Sequence, residues 1–208
     1  MAATSEYNYL KGFCKGMGLS NSTKAFSFIL KQHGDQKRND GSPYYVHPVK
    51  VASQLISLGV YHDDLKKLDV LITGALLHDV LEDTKATAEQ ITDNFNEEIT
   101  SVVQFLTKTK DMSNEFYYDR IKENLPASII KIADRCNNIS TMAGVFDRAR
   151  LQRYVDETNV QIKPLIRHVR DNNPDISHQI VNMSYHIKSV LSALERALHA
   201  LVKKQTES

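Results

Sequence analysis

Along most of the chain, apolar residues recur every three or four positions, and short runs rich in Gly, Asp, Asn and Pro separate these stretches. That is the period of amphipathic helices joined by loops. No pair of alternating segments flanks a hairpin turn, so the pattern predicts an all-α class. A first helix is expected over 22–33 (STKAFSFILKQH), capped by Ser22 or Thr23. The loop GDQKRNDGSP follows, and Pro48 suits the first position of a helix, PVKVASQLISLG, that ends at Gly59. His47 then stands at that helix's mouth. Residues 68–83 (LDVLITGALLHDVLED) are apolar around most of their circumference and predict one continuous central helix.

Thr87 and Gln90 have capping-box spacing and open a short helix to Phe95. Further helices are expected over 97–107 and, after the loop LTKTKDMSN, over 115–124, with Pro126 as punctuation. In ASIIKIADRCNNISTM, Ile129, Ile132, Cys136 and Ile139 form one stripe, while Asp134, Asn138 and Thr141 line the opposite side. A helix over 147–169 is interrupted at Pro164. The last helix, over 176–204, carries Ile180, Met183, Ile187, Val190, Leu194, Leu198 and Leu201. This stripe suits packing on the protein's own body or a homo-oligomer seam. The organisation expected is a main unit over 22–170 and a C-terminal helix over 171–208, packed on it or forming an oligomer contact.

Composition narrows the function classes. With 208 residues, 41% hydrophobic and 25% charged, the chain is long enough for one domain with a real core. A net charge of +1 argues against a broad surface for nucleic-acid polymers or membranes, and leaves small anionic ligands open. Cys14 and Cys136 make neither a disulfide framework nor a zinc pattern. No apolar run could span a bilayer, and MAATSEYNYLKG has no signal-peptide core, so a cytoplasmic setting is expected.

The chemistry concentrates in GALLHDVLEDT, where His78, Asp79, Glu82 and Asp83 interrupt an apolar helix. Charges beside Leu76, Leu77 and Leu81 are costly unless neutralised, and a divalent cation would do so. A satisfied core histidine with a solvated acidic helix end is the plain alternative. Metal sites need three or four ligands, and His47 and Asp134 are the natural partners for His78 and Asp79. Such a two-His, two-carboxylate set suits Mn²⁺, Fe²⁺ or Zn²⁺.

In order along the chain, His47, His78-Asp79 and Asp134 resemble the HD-domain metal-dependent phosphohydrolases. HGDQKRNDGSPYYVHPVKVA, ALLHDVLEDT, FLTKTK, KIADRCNNIST and ETNVQIKPL resemble, more narrowly, the (p)ppGpp hydrolase domain of RelA/SpoT homologues and small alarmone hydrolases, including metazoan SpoT-like ones. The likeness runs from about residue 22 to 166. It implies a helical bundle in which His47, His78, Asp79 and Asp134 hold one Mn²⁺. It further implies that Glu82 and Asp83 position or deprotonate water, and that Arg38, Asn138 and Thr141 contact a nucleotide. The reaction implied is removal of the 3′-pyrophosphate from ppGpp or pppGpp, alarmones of the stringent response, leaving GDP or GTP.

Where the long enzymes often have Lys and Ser after the Arg, Asn39 and Asp40 stand here, which leaves guanine and adenine both open. The chain has no room for the synthetase domain of those enzymes, so breakdown without synthesis is expected. The alternatives are a single-metal nucleotidase, an NADPH phosphatase and a non-catalytic nucleotide sensor. A two-metal phosphodiesterase would place further His between the HD pair and the last Asp, and residues 80–133 contain none. Lys108, Lys110, Lys131 and Arg135 form either a phosphate-attracting rim or scattered surface charge. His33 reads as an orienting or packing residue, and Cys136 as a small buried hydrophobe.

Overall fold

The computed structural model describes residues 4–141 and 147–206, and side chains as far as residue 199. Met142, where the 127–142 helix was expected to end, and the side chain of Leu201 lie outside the described residues. The described residues are helical, with one isolated antiparallel bridge between Lys37 and Pro43. The helices are α1 (Ser5–Gly16), α2 (Ser20–His33), α3 (Val46–Ser57), α4 (Leu65–Leu77), α5 (Val80–Asp83), α6 (Ala88–Asn94) and α7 (Glu97–Leu106). Then come α8 (Asn114–Lys122), α9 (Leu125–Thr141), α10 (Arg148–Glu157), a π turn (Thr158–Ile162), α11 (Lys163–Asn172), a 3₁₀ turn (Pro174–Ile176) and α12 (Ser177–Thr206). Among the described residues no helix is long and apolar enough to cross a membrane.

Helix α4 is the axis of the bundle. Every residue from Leu68 to Leu77 is buried, and α2, α3, α7 and α9 pack around it. Gly74 permits that approach, because a Cβ there would lie 2.8 Å from Val102 Cγ1 and 2.9 Å from Ile130 Cδ1. The α2 terminus departs from the sequence expectation. Neither Ser22 nor Thr23 caps it: the helix begins at Ser20, after Leu19, which offers no side-chain cap. Asp69 of α4 supplies the cap from outside, accepting from Ser22 N (2.8 Å), Ser22 Oγ (2.6 Å) and Asn21 N (3.1 Å). A carboxylate accepting orphan N–H groups does the work of a local cap and also ties two helices together.

Helix α1 was not predicted. Thr4 caps it, and Tyr7, Leu10 and Cys14 bury one face, with Tyr7 edge-on to Phe26 and Tyr45. The Thr87–Gln90 capping box is present with both of its bonds. Near Pro164, which has no N–H, the chain widens into the π turn, and Lys163 N bonds back to Thr158 O. On α12, Ile180, Met183, Ile187, Leu191, Leu194 and Leu198 are buried as the helix packs on α9, α10 and α11.

Candidate metal centre

The expected continuous 68–83 helix does not form. It stops at Leu77, His78 and Asp79 occupy a break, and a single turn, α5, resumes at Val80. Neighbours on an unbroken helix diverge by about 100°. The break, with Asp79 at φ −98° and ψ −3°, instead lets the two side chains converge. His78 Nε2 lies 3.0 Å from Asp79 Oδ2 and 3.7 Å from Asp134 Oδ1. His47 Nε2 lies 3.0 Å from Asp134 Oδ1 and 3.7 Å from Asp79 Oδ2. His47 sits inside the first turn of α3 and not ahead of it, because that helix begins at Val46. Pro48 fits there because first-turn N–H groups have no helical partner in any case.

The donor set fits a cation. His78 Nδ1 is 2.8 Å from the Ala75 carbonyl, and His47 Nδ1 is 2.8 Å from Asn137 Oδ1. Both Nδ1 atoms are thereby engaged by acceptors, which leaves both Nε2 atoms facing carboxylate oxygens. His78 Nε2 is buried and has no hydrogen-bond partner, although Asp79 Oδ2 is near. The 3.0 and 3.7 Å edges from Asp134 to the two imidazoles suit ligand atoms about 2.1 Å from a shared centre, with Asp79 Oδ2 beside that three-residue group. The two imidazoles and Asp134 are almost fully buried, while Asp79 keeps 23% of its side chain exposed toward the cavity. Burial opposes a charged imidazole, but Asp79 and then Asp134 outweigh it and raise the His78 pKa to about 9. The site thus demands positive charge at Nε2, as a proton or as a metal ion. His47, His78 and Asp134 form a group that can hold a divalent metal, and Asp79 faces both imidazoles.

The surrounding residues arrange the acids. Asp134 takes Asn138 Nδ2 at 2.7 Å on Oδ1 and Lys131 Nζ at 3.0 Å on Oδ2. Its pKa lies well below the carboxylate range, because burial is overridden by Lys131 and the imidazoles. Glu82 Oε2 accepts the Lys108 N–H at 3.1 Å, so the FLTKTK segment serves the site through its backbone. Burial raises the Glu82 pKa, with the Lys108 bond opposing it. Tyr44 Oη contacts both Asp79 and Asp83.

Together these residues line a cavity of about 350 Å³ with Lys37, Arg38, Asn39, Lys131, Asn138, Arg150 and Tyr154. Arg38 reaches Asn138 Oδ1 at 3.2 Å, and an Asp40-centred turn with Gly41 at φ +82° folds its loop. Thr141 does not line the cavity: its hydroxyl returns to the Asn137 and Asn138 carbonyls. Arg135 is not part of a basic rim. It is buried, 2.6 Å from Glu157, with its guanidinium over the Tyr154 ring. Sequence reasoning missed Tyr44, Asn137 and the Ala75 carbonyl. Tyr44 stood in plain view in GSPYYVHP, but nothing local marks a Tyr as a carboxylate partner.

A helical bundle whose central helix breaks at a His-Asp pair, faced by a second His and a second Asp, defines a helical scaffold that could hold a metal ion. The chain belongs to the HD domain family, whose profile matches residues 25–162. It is similar to guanosine-3′,5′-bis(diphosphate) 3′-pyrophosphohydrolase of Aquifex aeolicus, 35% identical over 150 residues, covering 68% of this chain and 20% of that protein. It is also similar to GTP pyrophosphokinase rsh of Brucella ovis, 31% identical over 175 residues, covering 76% of this chain and 22% of that one. The chain therefore spans about a fifth of the length of these curated relatives. The solved structure reported as "A metazoan ortholog of SpoT hydrolyzes ppGpp and plays a role in starvation responses" matches with a TM-score of 0.58 at 20% identity. The match covers 88% of this chain and 96% of that one, a shared fold across nearly the whole length.

Proposed function

We propose that this chain is an Mn²⁺-dependent hydrolase that removes the 3′-pyrophosphate of ppGpp, pppGpp or their adenine counterparts, giving GDP, GTP or the adenine equivalents. The observation that carries this reading is the facing of two imidazole Nε2 atoms and two carboxylates at 3.0–3.7 Å beneath a cavity with basic walls. His47, His78, Asp79 and Asp134 would hold one Mn²⁺, which supplies Lewis-acid neutralisation of phosphate charge when bound. Glu82 and Asp83 accept the proton of the attacking water, a role to which the raised pKa of Glu82 is suited. Arg38, Lys37 and Lys131 answer the charge on the non-bridging oxygens. Asn138 orients both Arg38 and Asp134. Water adds to the 3′-phosphorus, the bond from that phosphorus to the ribose oxygen breaks, and the ribose oxygen leaves with a proton.

The test is product analysis with ppGpp, its adenine analogue and NADPH, each with Mn²⁺ and with EDTA. Pyrophosphate from an alarmone, lost in EDTA, is expected. Orthophosphate from NADPH or a 5′-nucleotide, with no pyrophosphate, would move the enzyme to another substrate class. Tight nucleotide binding without turnover would make it a sensor.

A further inference from the structure

Tyr44 has one hydroxyl hydrogen and two carboxylates to serve. Its Oη lies 2.7 Å from Asp79 Oδ2 and 2.5 Å from Asp83 Oδ2. A phenol can donate to one of them at a time and turns lone pairs toward the other. The ring is not free to move away, because it stacks on His33 with centroids 4.6 Å apart and planes 23° apart. His33 Nδ1 is 2.9 Å from Gln36 Oε1, and Gln36 Nε2 donates to the Asp83 carbonyl at 2.7 Å. The result is a closed circuit from the Asp83 side chain through Tyr44, His33 and Gln36 to the Asp83 backbone. Asp79 Oδ2, the other acceptor of Tyr44, is the atom that faces both imidazoles.

We propose that Tyr44 is a positioning residue that yokes Asp83 to the cation-facing oxygen of Asp79, so that its hydroxyl turns to Asp83 when a cation sits against Asp79. This rests on the metal-dependent hydrolase reading above. A cation against Asp79 Oδ2 answers that oxygen's charge, and the ionised Asp83 becomes the better acceptor. Asp83 is then held by one oxygen and keeps the other for water. Without the cation, Asp79 competes for the same hydrogen. Asp83 and the ion, which share no direct contact in this scheme, are coupled through one phenol.

The test uses Mn²⁺ alone as probe, with free Mn²⁺ read by electron paramagnetic resonance. Wild type, Tyr44→Phe, Asp83→Asn and the double variant are compared. Tyr44→Phe keeps the ring and its stack on His33, and an unchanged thermal midpoint verifies its folding. Asp83→Asn is expected to weaken Mn²⁺ binding about 10-fold in the parent chain, where the hydroxyl then stays on Asp79, and less than about threefold when combined with Tyr44→Phe. In turnover, Tyr44→Phe should lower kcat about 10- to 100-fold with KM little changed, and the double variant should be no slower than Asp83→Asn. Effects that multiply in either cycle overturn the yoke. A wild type that binds Mn²⁺ and shows the coupled cycle, yet releases no pyrophosphate, would sink the substrate reading and leave Tyr44's role standing.

Discussion

His78 Nε2 stands 3.0 Å from the carboxylate of Asp79, its neighbour in the chain, yet the two make no hydrogen bond. Each imidazole Nε2, of His47 and of His78, lies within 3.0–3.7 Å of both the Asp79 and the Asp134 carboxylate. Two lone-pair nitrogens and two carboxylates facing one another repel unless a positive charge stands between them.

Removing a member of that set should remove the ion. His78→Ala and Asp79→Ala are expected to purify without Mn²⁺ by elemental analysis and to show no turnover. Retained activity after loss of Asp79 would sink the assignment of the metal site.

Glu82 and Asp83 stand one layer away, so their loss should cost turnover far more than it costs metal binding. At saturating Mn²⁺, Glu82→Ala and Asp83→Ala should each hold one ion per chain, Glu82→Ala with parental affinity and Asp83→Ala about 10-fold more weakly through Tyr44. Both should lose about 10²- to 10⁴-fold in kcat. Normal turnover in both variants would show that water activation lies elsewhere.

Asp69 is a buried acceptor for the α2 terminus. Asp69→Ala strands two N–H groups, while the Ser22 hydroxyl keeps the residue-69 carbonyl at 3.2 Å and Thr73 Oγ1 at 3.1 Å, a loss of about 2 kcal/mol. The thermal midpoint should fall by roughly 4–8 °C, as followed by circular dichroism. An unchanged midpoint would mean that water satisfies that terminus equally well.

Gly74 separates two opposing rules. In an exposed helix, Gly→Ala gains about 1 kcal/mol. Here the added Cβ would meet the stiff Val102 side chain at 2.8 Å and Ile130 at 2.9 Å. Overpacking costs about 1–3 kcal/mol and should win, which lowers the urea midpoint of Gly74→Ala. A stabilised variant would show that α7 and α9 yield easily.

Burial, and then the nearby Asp69 charge, push the Cys14 thiol from 9.0 up to about 12. The folded chain therefore holds this proton more tightly than the unfolded chain does. The associated stability is present below pH 9 and is lost as pH rises from 9 toward 12, at about 1.4 kcal/mol per unit. In urea titrations across that window, Cys14→Ala should show a flatter fall than the parent. Parallel curves would place the alkaline loss elsewhere, for instance at Tyr118, whose hydroxyl burial also pushes up to about 12.

The sequence by itself determined the helical class, most of the elements and the residues that could bear chemistry. Periodicity, the Thr87–Gln90 box and the polar face of α9 are written in neighbours three and four positions apart, and such contacts form wherever the helix goes. The tertiary structure alone decided the break at His78-Asp79, because an apolar run reads as one helix until packing and four polar groups demand otherwise. It likewise decided the cap on α2, delivered by Asp69 from 47 positions away, and the place of Tyr44 between Asp79 and Asp83. It also withdrew Arg135 from the surface and gave it to Glu157. Local propensity acts over one or two turns, whereas a carboxylate's partner is whatever the packed bundle brings within 3 Å.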